Sequence, residues 1–574
     1  MTELHYTSRL QRLRSAWFNG WTIGVLSLTF VLSTPILAVL SGIFVNTGEV
    51  WQHLQETVLT SYILNSLALM GWVGLGVTLV GTGTAWLVTM CRFPGSRLLE
   101  WALLLPLAAP AYILAYTYTE LLEFYGPIQS GLRHLFGWER VSDYWFPNVR
   151  SLGGAALMLI LVLYPYVYLL VRSAFLNQST VTLEASRSLG CGPWRSFWQV
   201  ALPLARPAIV AGTSLALMET LNDYGTVQYF AVDTFTTGIY RTWFNMGERI
   251  AACQLAACLM AFVFALIWLE LWSRGQSRYY QTVSQYQAIT PYSLQGWRSI
   301  AALGACLLPI ILGLLVPGGV LVNLMLAPGT TATDSNDDFA SATNPNERFW
   351  EFAGHSLLLA GITAALGVAI AVIVAYGVRL RPNWLMKLSA QITSLGYAVP
   401  GSVIAVGILV PLGSFDNTLD AWMRSTFGIS TGLLLSGTIV ALVFAYLVRF
   451  LAVSLGSVQT ALLKIKPSMD DAARSLGYGT LSTLGKIHLP LIRSGLLTAA
   501  VLVFVDVMKE LPATLIVRPF NFDTLAVRVY NLASDERLAQ AAAPALAIVL
   551  VGLVPVILLS QQITASRKQL NGTE

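Results

Sequence analysis

Glu184-Ala185-Ser186-Arg187-Ser188-Leu189-Gly190, followed by Leu202-Pro203-Leu204-Ala205-Arg206, returns 287 residues later as Asp471-Ala472-Ala473-Arg474-Ser475-Leu476-Gly477, followed by Leu489-Pro490-Leu491-Ile492-Arg493. Ten of the 23 aligned positions are identical, Gly192 and Gly479 among them, and no gap is needed. The offset is half the chain, so the sequence is an internal duplication. Each copy is a polar, glycine-containing segment between strongly apolar ones. The pattern predicts two equivalent platforms outside the lipid, and two equivalent platforms suit two equivalent partners.

The flanking sequence places those platforms on a membrane protein. Of 574 residues, 55% are hydrophobic and 11% charged, and the mean hydropathy of +0.64 lies far outside the soluble range. Apolar runs long enough to cross a bilayer as helices fall near 20–45, 60–90, 98–122, 152–176, 203–222 and 251–273, and again near 299–327, 353–378, 388–413, 430–456, 490–517 and 539–562. The expected fold is all-α and polytopic, with about twelve spans as two parallel six-helix halves. Pro106, Pro110, Pro165 and Pro400 predict broken or kinked spans, which packed membrane helices tolerate. The reading divides the chain into an N-terminal segment 1–19, a first half 20–273, a linker 274–298, a second half 299–562 and a tail 563–574.

The repeat extends beyond the platforms. At the same offset Thr237 matches Thr524 and Arg241 matches Arg528, while Asn65-Ser66-Leu67 stands opposite His355-Ser356-Leu357 and Pro110 opposite Pro400 at an offset of 290. An even number of spans per half gives the copies one orientation, with a pseudo-twofold axis along the membrane normal and a pathway at the interface of the halves. The first run follows Arg9, Arg12 and Arg14 but is too long for a signal peptide and lacks a small-residue cleavage site, so it reads as a retained helix. Arg92, Arg97, Arg274, Arg278, Arg379, Arg381, Lys387, Lys464, Lys466, Arg567 and Lys568 then gather on the cytoplasmic side, and Asp334, Asp337, Asp338, Asp416, Asp420, Asp535 and Glu536 face outward. By the positive-inside rule both termini and both platforms are cytoplasmic. The net charge of +5 follows from this topology and does not mark nucleic-acid binding.

Several chemistries are excluded. The five cysteines have no CxxC spacing, the five histidines form no HxxxH or HExxH pattern, and there is no GxxxxGK[ST] loop. A disulfide framework, a zinc site and nucleotide hydrolysis on this chain are therefore not expected.

The duplicated segment resembles the EAA motif of binding-protein-dependent ABC importer permeases: a Glu-Ala-Ala start, a Gly six residues on, and a Leu-Pro about a dozen residues later. Glu184, Ala185, Arg187, Leu189, Gly190 and Pro203 fit the first copy; Asp471, Ala472, Arg474, Leu476, Gly477 and Pro490 fit the second. The resemblance implies a short coupling helix that docks into a groove of an ATPase, and two copies imply a fused permease engaging two ABC ATPase subunits or domains. It also implies ATP and magnesium on those partners, no cofactor on this chain, and a periplasmic or lipid-anchored binding protein on the outer side of a bacterial inner membrane. Elementary chemistry agrees. Small residues beside Arg make a compact turn, Gly leaves it at positive φ, an acid near its start meets the helix dipole, and Pro203 and Pro490 suit the first turn of the next span. Two departures stand out: Ser186 replaces the second Ala, and Asp471 replaces Glu.

A narrower resemblance concerns the substrate. Glu219-Thr220-Leu221-Asn222-Asp223-Tyr224-Gly225-Thr226, and Lys509-Glu510-Leu511-Pro512-Ala513-Thr514-Leu515 followed by Arg518-Pro519-Phe520, look like fused permeases for ferric iron; fused thiamine permeases share a similar plan. Glu219 and Asp506 each lie 16 residues beyond the Leu-Pro proline, and Asp223 and Glu510 each lie 20 beyond it. Four carboxylates in matched pairs, at or near membrane depth, suit a cation path, and a hard cation prefers oxygen donors. Tyr224 offers a further oxygen. The competing reading is packing, with Lys509 paired to Asp506 or Glu510. Tyr112, Tyr116, Tyr118, Tyr164, Tyr166 and Tyr168 read as an interfacial belt or bundle packing, with a metal or ligand role as the alternative. A proton-coupled transporter relaying through Glu219 and Asp506 is the alternative mechanism, and the doubled cytoplasmic motif argues against it.

Overall fold

The computed structural model describes residues 20–45, 47–176, 192–275, 292–326 and 345–571. Nearly every described element is helical; the strand pairing among the described residues is a two-residue parallel contact of Cys91–Arg92 with Tyr292–Ser293. Ten helices are long and apolar enough to cross a membrane, and twelve spans result if each of two bent pairs counts as one. The bent pairs are Ser96–Ala108 with Ala111–Phe136, at 88°, and Thr480–Leu491 with Arg493–Met508, at 76°. All twelve apolar runs thus have a helical counterpart.

Local chemistry explains the breaks. Pro110 has no N–H and pushes Ala109 into the extended region, and the helix restarts at Ala111 with Pro110 as its N-cap. Pro400, its partner in the repeat, caps Gly401–Phe427 in the same way. The run expected over 388–413 therefore divides into a short helix, Trp384–Leu395, and a span that starts at Gly401. Asp416 and Asp420, read from sequence as outer-loop acids, belong to that span's last turns. Asp416 accepts from the amides of Leu435 and Ser436, and Asp420 from those of Thr431 and Gly432. They staple the following loop, so the next span begins only at Ile439.

The chain packs as two compact units, residues 1–45 with 354–522 and residues 46–353 with 523–574. In the first, the N-terminal helix Gly20–Gly42 lies against Gly401–Phe427 and Trp384–Leu395, and Ile439–Leu463 packs on Arg493–Met508. In the second, Leu152–Leu176 is held between Leu59–Met90 and Trp194–Asn222, and Val316–Leu326 lies along Leu538–Asn571. The first helix of each sequence half thus packs in the unit built mainly from the other half. Close approach around Leu152–Leu176 depends on two glycines: a Cβ at Gly81 would stand 2.7 Å from Val167 Cβ, and one at Gly212 2.7 Å from Val167 Cα. Small residues at helix crossings are how membrane bundles gain dispersion contact where lipid offers no hydrophobic drive.

Candidate functional site

The second copy of the duplicated segment is a helix, Pro467–Ser475, with Pro467 in its first turn and Lys466 as N-cap. It begins four residues before the motif, so Asp471 sits on the second turn and the first-turn acid is Asp470. The helix ends as the sequence demands. Gly477 has φ +81°, its N–H donates to Arg474 O, and the Tyr478 N–H donates to Ala473 O, which is the paired closure of a Schellman cap. Ala473 is buried, whereas Asp471, Ala472, Arg474 and Leu476 face solvent. Leu476 is 76% exposed. Arg474 and Asp471 pair loosely at 3.4 Å, a contact worth little at such exposure. The helix therefore offers an apolar knob and a cation outward from a fixed turn. The first copy, Glu184, Ala185, Arg187, Leu189 and Gly190, lies outside the described residues; Pro203 opens Leu202–Asn222.

The segment is fixed by residues that sequence reasoning did not single out for this role. Arg379, at the end of Pro345–Leu380, donates through Nη2 to Asp470 Oδ2 at 2.6 Å and through Nη1 and Nη2 to the carbonyls of Leu462 and Ile465. Asp470 Oδ1 lies 2.8 Å from the buried His488 Nε2, and Tyr376 packs edge-on to His488 while its hydroxyl donates to Thr480 O. One guanidinium thus gathers the end of one span and the start of the helix Pro467–Ser475. Asp470→Asn should cost about 1 kcal/mol of local stability, a charge-assisted bond discounted for partial exposure. The expected readout is faster hydrogen exchange over 467–478 with unchanged protection in Ile439–Leu463.

Both copies share a feature no motif announces. A π-turn spans Phe197–Ala201 in the first and Leu484–His488 in the second, at the same 287-residue offset and just ahead of Leu-Pro. Proline at 203 and 490 cannot donate to, and would collide with, the carbonyl four residues earlier. Widening the turn relieves that clash.

The candidate path residues lie where the fifth span of each half ends. Asp223 Oδ1 accepts from the amides of Thr226 and Val227, and Oδ2 from Thr226 Oγ1. Glu510 does the same for the amides of Ala513 and Thr514. The matched carboxylates thus nucleate matched short helices, Gly225–Tyr229 and Pro512–Val517. Their neighbours differ. Glu510 is ion-paired to Arg449 at 3.1 Å, and Asp506 to Lys509 at 3.0 Å; in the first half Val162 and Asn222 stand at the positions of Arg449 and Lys509. Asn222 Nδ2 lies 3.5 Å from Glu219 Oε2. Among the described residues no three His, Cys, Asp or Glu side chains come together as a metal cluster.

The tyrosines read as a belt divide by role. Tyr164 and Tyr168 donate to the carbonyls of Leu103 and Glu100, which the broken third span leaves over, and Tyr118 donates to Leu312 O. Tyr224 meets Tyr530, with hydroxyls 3.3 Å apart.

A duplicated sequence of apolar spans, with a capped, solvent-facing helix as a polar connector, is the build of a polytopic membrane protein. The family model described as "Binding-protein-dependent transport system inner membrane component" matches residues 78–273 and 367–568, and the chain belongs to that family. Its members are membrane subunits of importers that receive substrate from a binding protein. Among individual relatives, the Fe(3+)-transport system permease protein FbpB 2 of Haemophilus influenzae is 27% identical over 501 residues, 87% of this chain and 89% of the relative. The ferric transport system permease protein FbpB of Actinobacillus pleuropneumoniae is 24% identical over 526 residues, 88% and 72% of the two chains. The molybdenum transport system permease protein ModB of Escherichia coli is 30% identical over 245 residues, 98% of its own length but 40% of this chain. A relative complete in about one half agrees with the duplication.

Proposed function

We propose that this chain is the permease of an ATP-driven importer that moves ferric iron from a binding protein into the cytoplasm by alternating access. Likeness to ferric permeases over most of the length is the observation that carries the substrate. The exposed turn at 471–477 carries the coupling: two ABC ATPase subunits or domains, each with ATP and magnesium, dock on it and on Glu184–Gly190 from the cytoplasmic side, where both termini also lie. Closure of the ATPases draws the two segments together and opens the path outward; hydrolysis resets it. Glu219 and Asp506, at matched positions, face the path, with Tyr224 and Lys509 beside them. Asp223 and Glu510 add carboxylate charge while holding the chain breaks in place.

The test is ferric iron uptake into proteoliposomes that hold the chain and its copurified ATPase, with a loaded binding protein and ATP outside and inside as required. Uptake should fall about tenfold or more in a Glu219→Gln, Asp506→Asn variant whose ATP hydrolysis is intact. Hydrolysis stimulated by a differently loaded binding protein, with no iron movement, would discard iron and keep the permease.

A further inference from the structure

Six tyrosines converge within the unit formed by residues 46–353 and 523–574. Tyr116 stacks edge-on against Tyr229 at 4.5 Å and lies beside Tyr112 at 5.8 Å. Tyr224 lies 4.6 Å from Tyr240 and 5.8 Å from Tyr530, ring centre to ring centre. The two groups are neighbours: the helix that carries Tyr116, Ala111–Leu122, packs on Gly225–Tyr229, whose N-cap is Tyr224, and the Tyr116 phenol is coupled electrostatically to Tyr224, Tyr530 and Asp223. Tyr530 comes from the second sequence repeat, the others from the first.

Three observations separate this cluster from ordinary packing. First, Tyr116 is only 2% exposed and its hydroxyl has no hydrogen-bond partner among the described residues. An orphaned buried hydroxyl costs about 1–3 kcal/mol and calls for a reason. Second, the phenols break the internal symmetry. The second repeat has Val406, Leu511 and Ile516 where the first has Tyr116, Tyr224 and Tyr229, and all three aliphatic residues are buried. The same scaffold packs without hydroxyls, so the scaffold does not require them. Third, the charge balance is one-sided. Arg449 and Lys509 compensate Glu510 and Asp506, whereas among the described residues no cation stands within ion-pair distance of Asp223. Arg150, whose guanidinium lies over the Tyr229 ring, is itself paired to Glu123 at 2.5 Å and approaches Glu536 at 3.8 Å.

We propose that the hydroxyls of Tyr116, Tyr224 and Tyr530 form an oxygen-donor site that the trivalent iron cargo occupies in transit, with Asp223 beside it as the compensating anion. The proposal rests on the ferric reading above. Iron(III) is a hard cation and takes anionic oxygen. On binding, each phenolic O–H bond is exchanged for an Fe–O bond, the proton passes to water, and the metal keeps its oxidation state. A phenol in apolar surroundings is neutral until the cation arrives, so the empty site carries no uncompensated charge beyond Asp223. That favours a site which fills and empties once per cycle over one that holds the ion.

The experiment uses the chain with its copurified ATPase in nanodiscs, titrated with ferric nitrilotriacetate both without nucleotide and trapped with ATP and vanadate. Phenolate bound to iron(III) gives a visible charge-transfer absorption and resonance-enhanced tyrosinate vibrations. These should appear in the native chain in at least one state, vanish in Tyr116→Phe, and half-saturate at about tenfold more iron in Tyr530→Phe. Tyr118→Phe, on the same helix but bonded to Leu312 O, should leave them unchanged. ATP-driven iron uptake is measured on the same preparations. Uptake without the absorption, or an absorption that survives Tyr116→Phe, overturns the phenol site alone; absence of both uptake and absorption in the native chain overturns the ferric reading with it.

Discussion

Gly477→Val should severely reduce ATP-driven uptake while the membrane bundle stays folded. A Cβ at Gly477 would meet nothing within 4 Å, so the whole cost is conformational: φ is +81°, where a side chain costs about 1–2 kcal/mol and a β-branched one more. The least costly escape is to return φ to negative values. That breaks the Gly477-to-Arg474 and Tyr478-to-Ala473 bonds and displaces Leu476 and the following chain from the exposed face. Gly477→Asn, which tolerates the left-handed region, should keep most of the uptake. Leu476→Glu tests the surface itself, since it leaves the cap intact and replaces the exposed apolar knob with a charge. Both Val and Glu variants should lose the copurifying ATPase with little change in thermal unfolding. Combining Gly477→Val with Gly190→Val, its partner in the repeat, should make the loss complete. If the Val and Glu variants both retained ATPase and uptake, the coupling role of 471–477 would be wrong.

Which parts of this were legible in the sequence depended on the range of the interaction responsible. The spans follow from local apolar runs, and the positive φ of Gly477 and the capping prolines 110 and 400 follow from what those residues permit at their own position. The duplication supplied the pairing of equivalent sites, and it reaches further than identity does. Asn65 Nδ2 donates to Asp233 O, and at the matching place His355 stacks on Phe522 at 4.0 Å, two chemistries for holding one loop. The exchange of first helices was not legible. An apolar helix carries little record of which neighbour it will meet, and the buried face of Gly20–Gly42 offers small hydroxyls, Thr22 and Thr29, of which Thr29 meets Thr393 at 3.3 Å. The role of Arg379 was missed for a related reason. In the sequence it is one of many cations near span ends, and its significance lies in carbonyls and an acid more than 80 residues away. Arg449 had a readable signal, an arginine inside an otherwise unbroken apolar run, which within a membrane calls for a named partner.

That arginine gives the largest expected effect on stability. Arg449 and Glu510 have side chains only 7% and 1% exposed, and Glu510 already accepts from Ala513 N, Thr514 N and Thr514 Oγ1. Arg449→Leu leaves this saturated carboxylate without its cation, at a cost of about 3–5 kcal/mol. Glu510→Gln strands the guanidinium instead and replaces one accepting oxygen with a donor facing donors, so it should be comparably severe. The double variant Arg449→Leu, Glu510→Gln removes both charges together and should lose clearly less than the sum of the two, because a buried ion pair gains little over neutral groups once neither partner is left alone. The pair exists on one side only. Asp223 caps its helix with Val162 in place of the arginine, and the next residue is the phenol Tyr224, where Glu510 is followed by Leu511. Thermal unfolding of the ATPase-bound transporter, run on the native chain, both single variants and the double, measures the coupling directly. Simple additivity of the two losses would mean that Arg449 stabilises the fold through something other than Glu510.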